Sequence, residues 1–250
     1  MNVKEEMIMK HNHYFFKYLF LITLVSLFCY PLTLAAEHTS QPEAEKVVYL
    51  TFDDGPTPKI TEDILDILKA QDVKATFFIV GKEIKGRESI LKRIYEEGHG
   101  IGLHTYSHNF KMIYKNPESF IIEMKKTEAA INETLGTNLT LPIIRFPGGS
   151  AGRLNSSFYK ALCDHGYLIF DWNVDLKDGI KGNLSPGEFL ANSQKCMDRS
   201  SRRIILAHCN SNNQNTCQAL DDIIAYYKDQ GYTFKAIDSS TKPYFFKFKK

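Results

Sequence analysis

The chain has 250 residues, 43% of them hydrophobic and 24% charged, with a formal net charge of +2. This length and balance fit one globular domain with a full hydrophobic core and exclude a disordered chain. A charge so close to zero gives no electrostatic footprint for nucleic acid.

Residues 18–36, YLFLITLVSLFCYPLTLAA, carry no charge and follow Lys10 and Lys17. An uncharged run of this length can just cross a bilayer, and Ala35-Ala36 supplies the small residues of a cleavage site. Residues 1–36 are therefore expected to be a signal peptide or an N-terminal membrane anchor. The lysines keep the N-terminus inside, so the rest of the chain is exported in either case. The polar stretch 37–46, EHTSQPEAEK, reads as a linker, and 47–250 as the working domain. Its cysteines Cys163, Cys196, Cys209 and Cys217 can pair in three ways. An oxidising compartment permits disulfides without requiring them, and the lack of any CxxC spacing argues against a cysteine-bound zinc.

From residue 47 onward, strand and helix patterns alternate. VVYLTF reads as a strand, and residues 58–71 place Ile60, Ile64, Ile67 and Leu68 at helical spacing. ATFFIV is the next strand, ESILKRIYEEG a helix stopped by Gly98, and GIGLH a short strand. PESFIIEMKKTEAAINETLG opens on Pro117 and closes on Gly136, the signature of a long helix. PIIRF, GYLIFDW, RIILAH and GYTFKAI are further strands, with helical patterns at 153–165, 185–200 and 214–230. This order predicts an α/β fold, a distorted (β/α) barrel with about seven parallel strands. A doubly wound open sheet is the competing topology.

In a barrel of this kind the site forms at the C-terminal ends of the strands. The first strand ends in Asp53 and Asp54, then Gly55 and Pro56. Asp, Gly and Pro are ordinary turn residues, so a plain turn is one reading. Two adjacent carboxylates at the end of a buried strand repel, however, and a cation would compensate them. The other ends agree with the second reading. HTYSH places His104 and His108 four apart, on one face if Thr105 to His108 makes a helical turn. PIIRF carries Arg145 next to its end, GYLIFDW runs on through Asp171 and Trp172 to Asp175, and RIILAH ends in His208. Two imidazoles and a carboxylate leave positions open for water and substrate, as a catalytic metal requires.

Five ordered motifs, TFDDGP (51–56), HTYSH (104–108), RFPGGS (145–150), DWNVDLKD (171–178) and ILAH (205–208), resemble those of the polysaccharide deacetylase family. This is carbohydrate esterase family four, whose members share the Nod-factor deacetylase homology domain. The resemblance implies that Asp54, His104 and His108 are metal ligands, with zinc expected first and cobalt or another transition metal as alternatives. It implies that Asp53 is the general base, Arg145 the arginine that holds it and Asp175 the carboxylate that holds the arginine. His208 resembles the general acid, and Trp172 and Leu206 resemble the walls of the acetyl pocket. The backbone N–H of Gly148 is a candidate oxyanion donor.

Three departures stand out: Gly148 where many members have tyrosine, Gly179 where tryptophan is common, and Cys209 where aspartate is common. Trp172 can partly replace the second of these. Cys209 reads as a structural cysteine, with a disulfide to Cys217 as the alternative. The function implied is metal-dependent removal of N-acetyl groups from amino-sugar glycans, peptidoglycan N-acetylglucosamine first. An O-acetyl esterase on xylan and an inactive glycan-binding module are the alternatives. The expected partners are an acetylated glycan, no nucleic acid, and the membrane if the leader stays uncleaved. A monomer is expected.

Overall fold

The computed structural model describes residues 45–180 and 184–248. The expected leader and most of the linker lie outside the described residues. Among those described, no helix is long and apolar enough to cross a membrane.

The chain forms β1 (Val47–Asp53), α1 (Ile60–Ala70), β2 (Thr76–Ile79), a 3-10 turn (Gly81–Glu83), α2 (Glu88–Glu96) and β3 (Gly100–Leu103). There follow α3 (Phe110–Ile113), α4 (Pro117–Leu135), β4 (Ile143–Ile144), α5 (Ser156–Asp164), β5 (Leu168–Ile169) and β6 (Val174–Asp175). The domain closes with α6 (Pro186–Ser193), β7 (Arg202–His208), α7 (Gln214–Asp229) and β8 (Thr233–Phe234). Seven strands run in the order β5-β4-β3-β2-β1-β7-β6, and β8 joins the start of β1. Every ladder is parallel. No ladder joins β5 to β6 among the described residues, so the barrel is distorted and open there.

The core follows from the sequence pattern. Val48, Leu50 and Phe52 of β1 are fully buried in the main apolar cluster with Ile64, Leu65 and Leu68 of α1. Phe52 stacks on Phe77 of β2 at 5.2 Å between ring centroids. The Asn116 side chain accepts the Ser119 N–H ahead of α4, and Gly136 ends that helix with φ 66°, the left-handed conformation glycine adopts without strain.

Register carries the fold to function. Asp53 lies opposite His208 on β7 and Phe78 on β2. Ile79 lies opposite Leu103, and Leu103 opposite Ile144. The residues that follow, His104 and Arg145, therefore emerge at the same end of the sheet as Asp53 and His208.

One expectation needs correction, and one alternative, the Cys209–Cys217 disulfide, is not formed. GYLIFDW is not one strand: β5 stops at Ile169, and residues 170–173 lead straight to β6 without a helix. The cause is Asp171, whose carboxylate turns away to accept the N–H groups of Ser150 and Phe246 at 3.0 and 2.8 Å. The cysteines of the described residues are free thiols. Cys209 and Cys217 are both buried, but their thiols point to different carbonyls, Asp53 O at 3.2 Å and Ile60 O at 3.8 Å.

Candidate metal centre and active site

The paired aspartates face one site because the strand breaks between them. Asp54 adopts φ 75°, the left-handed region that Asp tolerates better than most residues. In a continuing strand the two side chains would point to opposite faces. The reversal thus comes at Asp54 itself rather than at Gly55. Gly55 is needed for close approach: a Cβ there would lie 2.6 Å from Cys209 Sγ.

The second motif also differs from expectation. Residues 104–108 form no helical turn, because Thr105 and His108 both have positive φ, 67° and 52°. The loop is instead pinned from α4, where Glu123 Oε2 accepts the N–H groups of Tyr106 and Ser107 at 3.0 and 2.6 Å. Nothing at the level of motifs pointed to Glu123. The two imidazoles still come together, with ring centroids 5.2 Å apart.

Asp54 Oδ1 lies 3.6 Å from His104 Nε2 and 3.3 Å from His108 Nε2. One donor atom from each of the three residues falls within a 4.8 Å cluster. His104 Nδ1 sits 2.9 Å from Arg145 O. A carbonyl only accepts, so Nδ1 carries the proton and Nε2 presents its lone pair to the cluster. Burial pushes the His104 pKa down to about 3 against the pull of Asp54, so the ring is neutral, as a ligand must be. Two neutral-capable imidazoles, one carboxylate and the bond from His104 Nδ1 to the Arg145 carbonyl fit a divalent transition metal.

Arg145 is fully buried. Its Nη1 donates to Asp53 Oδ1 at 2.8 Å and to Thr51 Oγ1 at 2.7 Å. Its Nε donates to Phe170 O at 2.8 Å and Nη2 to Asp171 O at 3.2 Å. The guanidinium lies 4.0 Å above the Phe78 ring. Asp53 is buried with it, so the two charges compensate each other in a place where either alone would be costly. Asp175, expected to hold the arginine, does not contact it. Its carboxylate accepts the Lys177 N–H and ammonium, each at 2.7 Å. This is an Asx turn, in which aspartate bonds the backbone two residues on, and it ends β6.

The carboxylate with the larger positioning task is Asp178, present in the fourth motif but given no role from sequence. Its Oδ1 lies 2.7 Å from His208 Nδ1. Its Oδ2 accepts from His208 N, Asn213 Nδ2 and Thr216 Oγ1 at 2.9, 3.2 and 3.0 Å. Burial alone would lower the His208 pKa. The hydrogen bond and charge of Asp178, helped by Asp53 and Asp54, outweigh it and raise the value to about 9. Gly179 lets the imidazole sit there, since a Cβ at that position would lie 2.5 Å from His208 Cε1.

These groups open onto a cavity of about 290 Å³. Asp53, Asp54, His104, His108, Gly148, Trp172, Asp175, Leu206 and His208 all line it, with Arg145 directly behind Asp53. Phe110, Lys177, Gly179, Ile180 and Asn210 complete the wall. Gly148 has φ 72°, and its N–H makes no hydrogen bond among the described residues. Trp172 packs over Gly149, where a Cβ would lie 2.8 Å from the indole, and its buried Nε1 has no hydrogen-bond partner among the described residues.

Comparison with known proteins agrees with this architecture. The polysaccharide deacetylase family model matches residues 40–169. A peptidoglycan-N-acetylglucosamine deacetylase of Bacillus cereus is 35% identical over 194 residues, 76% of this chain and 69% of the relative. The peptidoglycan-N-acetylmuramic acid deacetylase PdaA of Bacillus subtilis is 33% identical over 194 residues, 78% of this chain and 71% of the relative. The structure of a Streptococcus mutans CE4 esterase superposes with a TM-score of 0.73 at 33% identity, covering 78% of this chain and 87% of that one. With the family model matching over half of the chain and relatives a third identical across most of it, the chain belongs to the polysaccharide deacetylase family.

Proposed function

We propose that this protein is a metal-dependent N-deacetylase of amino-sugar glycans, acting outside the cell on peptidoglycan, with N-acetylglucosamine as the preferred sugar. The observation that carries this reading is the opposed pair across one cavity. Asp53, held by Arg145, faces His208, held by Asp178, with the Asp54–His104–His108 cluster beside them. A binding module needs neither a held base nor a held acid.

Asp54, His104 and His108 hold the cation. A divalent metal bound there, zinc before cobalt, would supply acidification of water and polarisation of an acetyl carbonyl. Asp53 takes the proton from the attacking water. Its Oδ1 is committed to Arg145, and Oδ2 lies on the side of His104 Nε2, 3.7 Å away. The Gly148 N–H, unbonded among the described residues, stabilises the developing oxyanion. His208, protonated near neutral pH because of Asp178, delivers a proton to the departing amine. Trp172 and Leu206 wall the acetyl group. Asp175, turned to Lys177, borders the site without steering Arg145.

The same groups can cleave an acetyl ester, and a solved relative is a CE4 esterase. Acetate release decides between the two. Zinc-loaded protein should release acetate from N-acetylglucosamine oligomers, and Asp53→Asn should abolish the release. Activity on acetylated xylan alone would overturn the deacetylase reading. Export by the N-terminal segment and a monomeric state complete the proposal. The peptidoglycan deacetylases among the relatives support the choice of wall substrate.

A further inference from the structure

Gly148 puts no side chain into the cavity it lines, yet the space beside it is not left bare. A Cβ at Gly148 would lie 3.3 Å from Phe110 Cε1 and 3.1 Å from Arg153 Nη2. Phe110 comes from a different element, the single turn α3 that follows the second motif. It lines the cavity with His108 and Trp172 and is 42% exposed. An exposed phenyl ring keeps apolar surface in water, and covering that surface with a ligand favours binding.

The ring is held on several sides. It meets His108 edge-on at 5.4 Å and 77°, and Tyr114 at 5.7 Å and 71°. The Arg153 guanidinium lies 5.3 Å from the Phe110 centroid and 5.2 Å from that of Tyr114. Arg153 also donates to Gly148 O and Gly149 O at 2.9 and 3.2 Å, and the Tyr114 hydroxyl donates to Pro147 O at 2.7 Å. The Gly148 turn and the Phe110 ring are therefore braced as one wall. A rigid aromatic surface is a low-entropy platform for a flat apolar ligand face. The C–H face of a pyranose ring is such a surface.

We propose that Phe110 is a substrate-contacting residue, the platform on which a pyranose ring of the glycan stacks. The inference rests on the glycan reading above. It makes substrate binding depend on α3 and leaves the proton-transfer groups untouched.

The test uses the only tryptophan of the chain, Trp172, which lines the same cavity. An N-acetylglucosamine tetramer is titrated into zinc-loaded, full-length Asp53→Asn protein and followed by tryptophan fluorescence, with and without Phe110→Ala. KM and kcat are measured in parallel for Phe110→Ala and Phe110→Tyr in the otherwise unsubstituted enzyme. Phe110→Ala should weaken binding and raise KM about tenfold. It should hold kcat within about twofold and leave zinc content unchanged, and Phe110→Tyr should restore KM. Binding and KM unchanged in Phe110→Ala overturn the inference, as does a tetramer that does not bind at all. Loss of zinc together with binding would make Phe110 a prop for His108 and would also overturn it. Phe110-dependent binding without acetate release from any amino-sugar glycan keeps this inference and overturns the deacetylase reading. Acetate release with KM indifferent to Phe110 does the reverse.

Discussion

Replacing Asp178 with asparagine isolates what holds His208 in its protonated form. The raised value of about 9 against the ordinary 6.5 corresponds to roughly 3 kcal/mol in favour of the imidazolium. Most of that comes from the 2.7 Å contact with Asp178 and its charge. Asparagine keeps the shape and removes the charge. Burial, the largest influence and opposite in sign, then dominates and brings His208 to its ordinary range or below. A cation on Asp54 cancels that carboxylate's pull in both proteins, so the comparison still reads Asp178. A group that must donate a proton works only below its pKa. The alkaline limb of kcat/KM should therefore move down by more than one pH unit, and activity at pH 8 should fall on the order of tenfold to thirtyfold. Activity at pH 6 should fall much less. The assay is kcat/KM for acetate release across pH 5 to 10, with zinc content and thermal midpoint measured beside it. Because Asp178 also anchors Asn213 and Thr216, about 1 to 3 kcal/mol of stability should be lost. An alkaline limb that stays in place while overall activity falls would refute the assignment of His208 as the group that titrates there.

Asp54→Ala or His108→Ala should lower zinc affinity by at least about a hundredfold, read by equilibrium dialysis, and abolish acetate release. Gly179→Ala places a methyl group 2.5 Å from His208 Cε1. The imidazole must shift, and kcat should fall about tenfold to a hundredfold at constant zinc content. His99 is buried, with its pKa lowered to about 4, chiefly by desolvation. A depressed histidine stabilises the fold fully above the unfolded value of about 6.5 and loses that contribution as pH falls toward 4. Urea midpoints should therefore drop across that window by an amount equivalent to roughly 3 kcal/mol. His99→Gln, which can still accept the Ala75 N–H, should flatten the drop.

Much of the site was legible because register is carried by strand ends. Buried runs that each stop at or beside an ionisable residue indicate where a parallel barrel opens, and seven of the nine residues picked out on that basis line one cavity with Arg145 behind them. What sequence could not convey was backbone sign and side-chain choice of partner. The left-handed Asp54, Thr105 and His108 depend on tertiary packing, so the spacing of HTYSH alone leaves open whether a helical turn or a loop brings its imidazoles together. Asp175 and Asp178 stand three apart in one motif. Only the Asx turn at Asp175 and the donors from α7 around Asp178 separate a bordering carboxylate from the one that holds His208. Glu123 and Phe110 lie outside every motif and reach the site only through folding. The alternation of strand and helix patterns likewise predicted the barrel but not its opening, because the turn of Asp171 toward Ser150 has no signal in apolar periodicity.

The central claim is N-deacetylation of a wall glycan by the Asp53–His208 pair beside the metal site. Mass spectrometry of peptidoglycan fragments, before and after treatment with zinc-loaded protein, tests it most directly. The account predicts the loss of one acetyl group per modified N-acetylglucosamine, dependent on added metal and absent with Asp53→Asn. Fragments that keep every N-acetyl group, while acetylated xylan loses its esters to the same preparation, would contradict it.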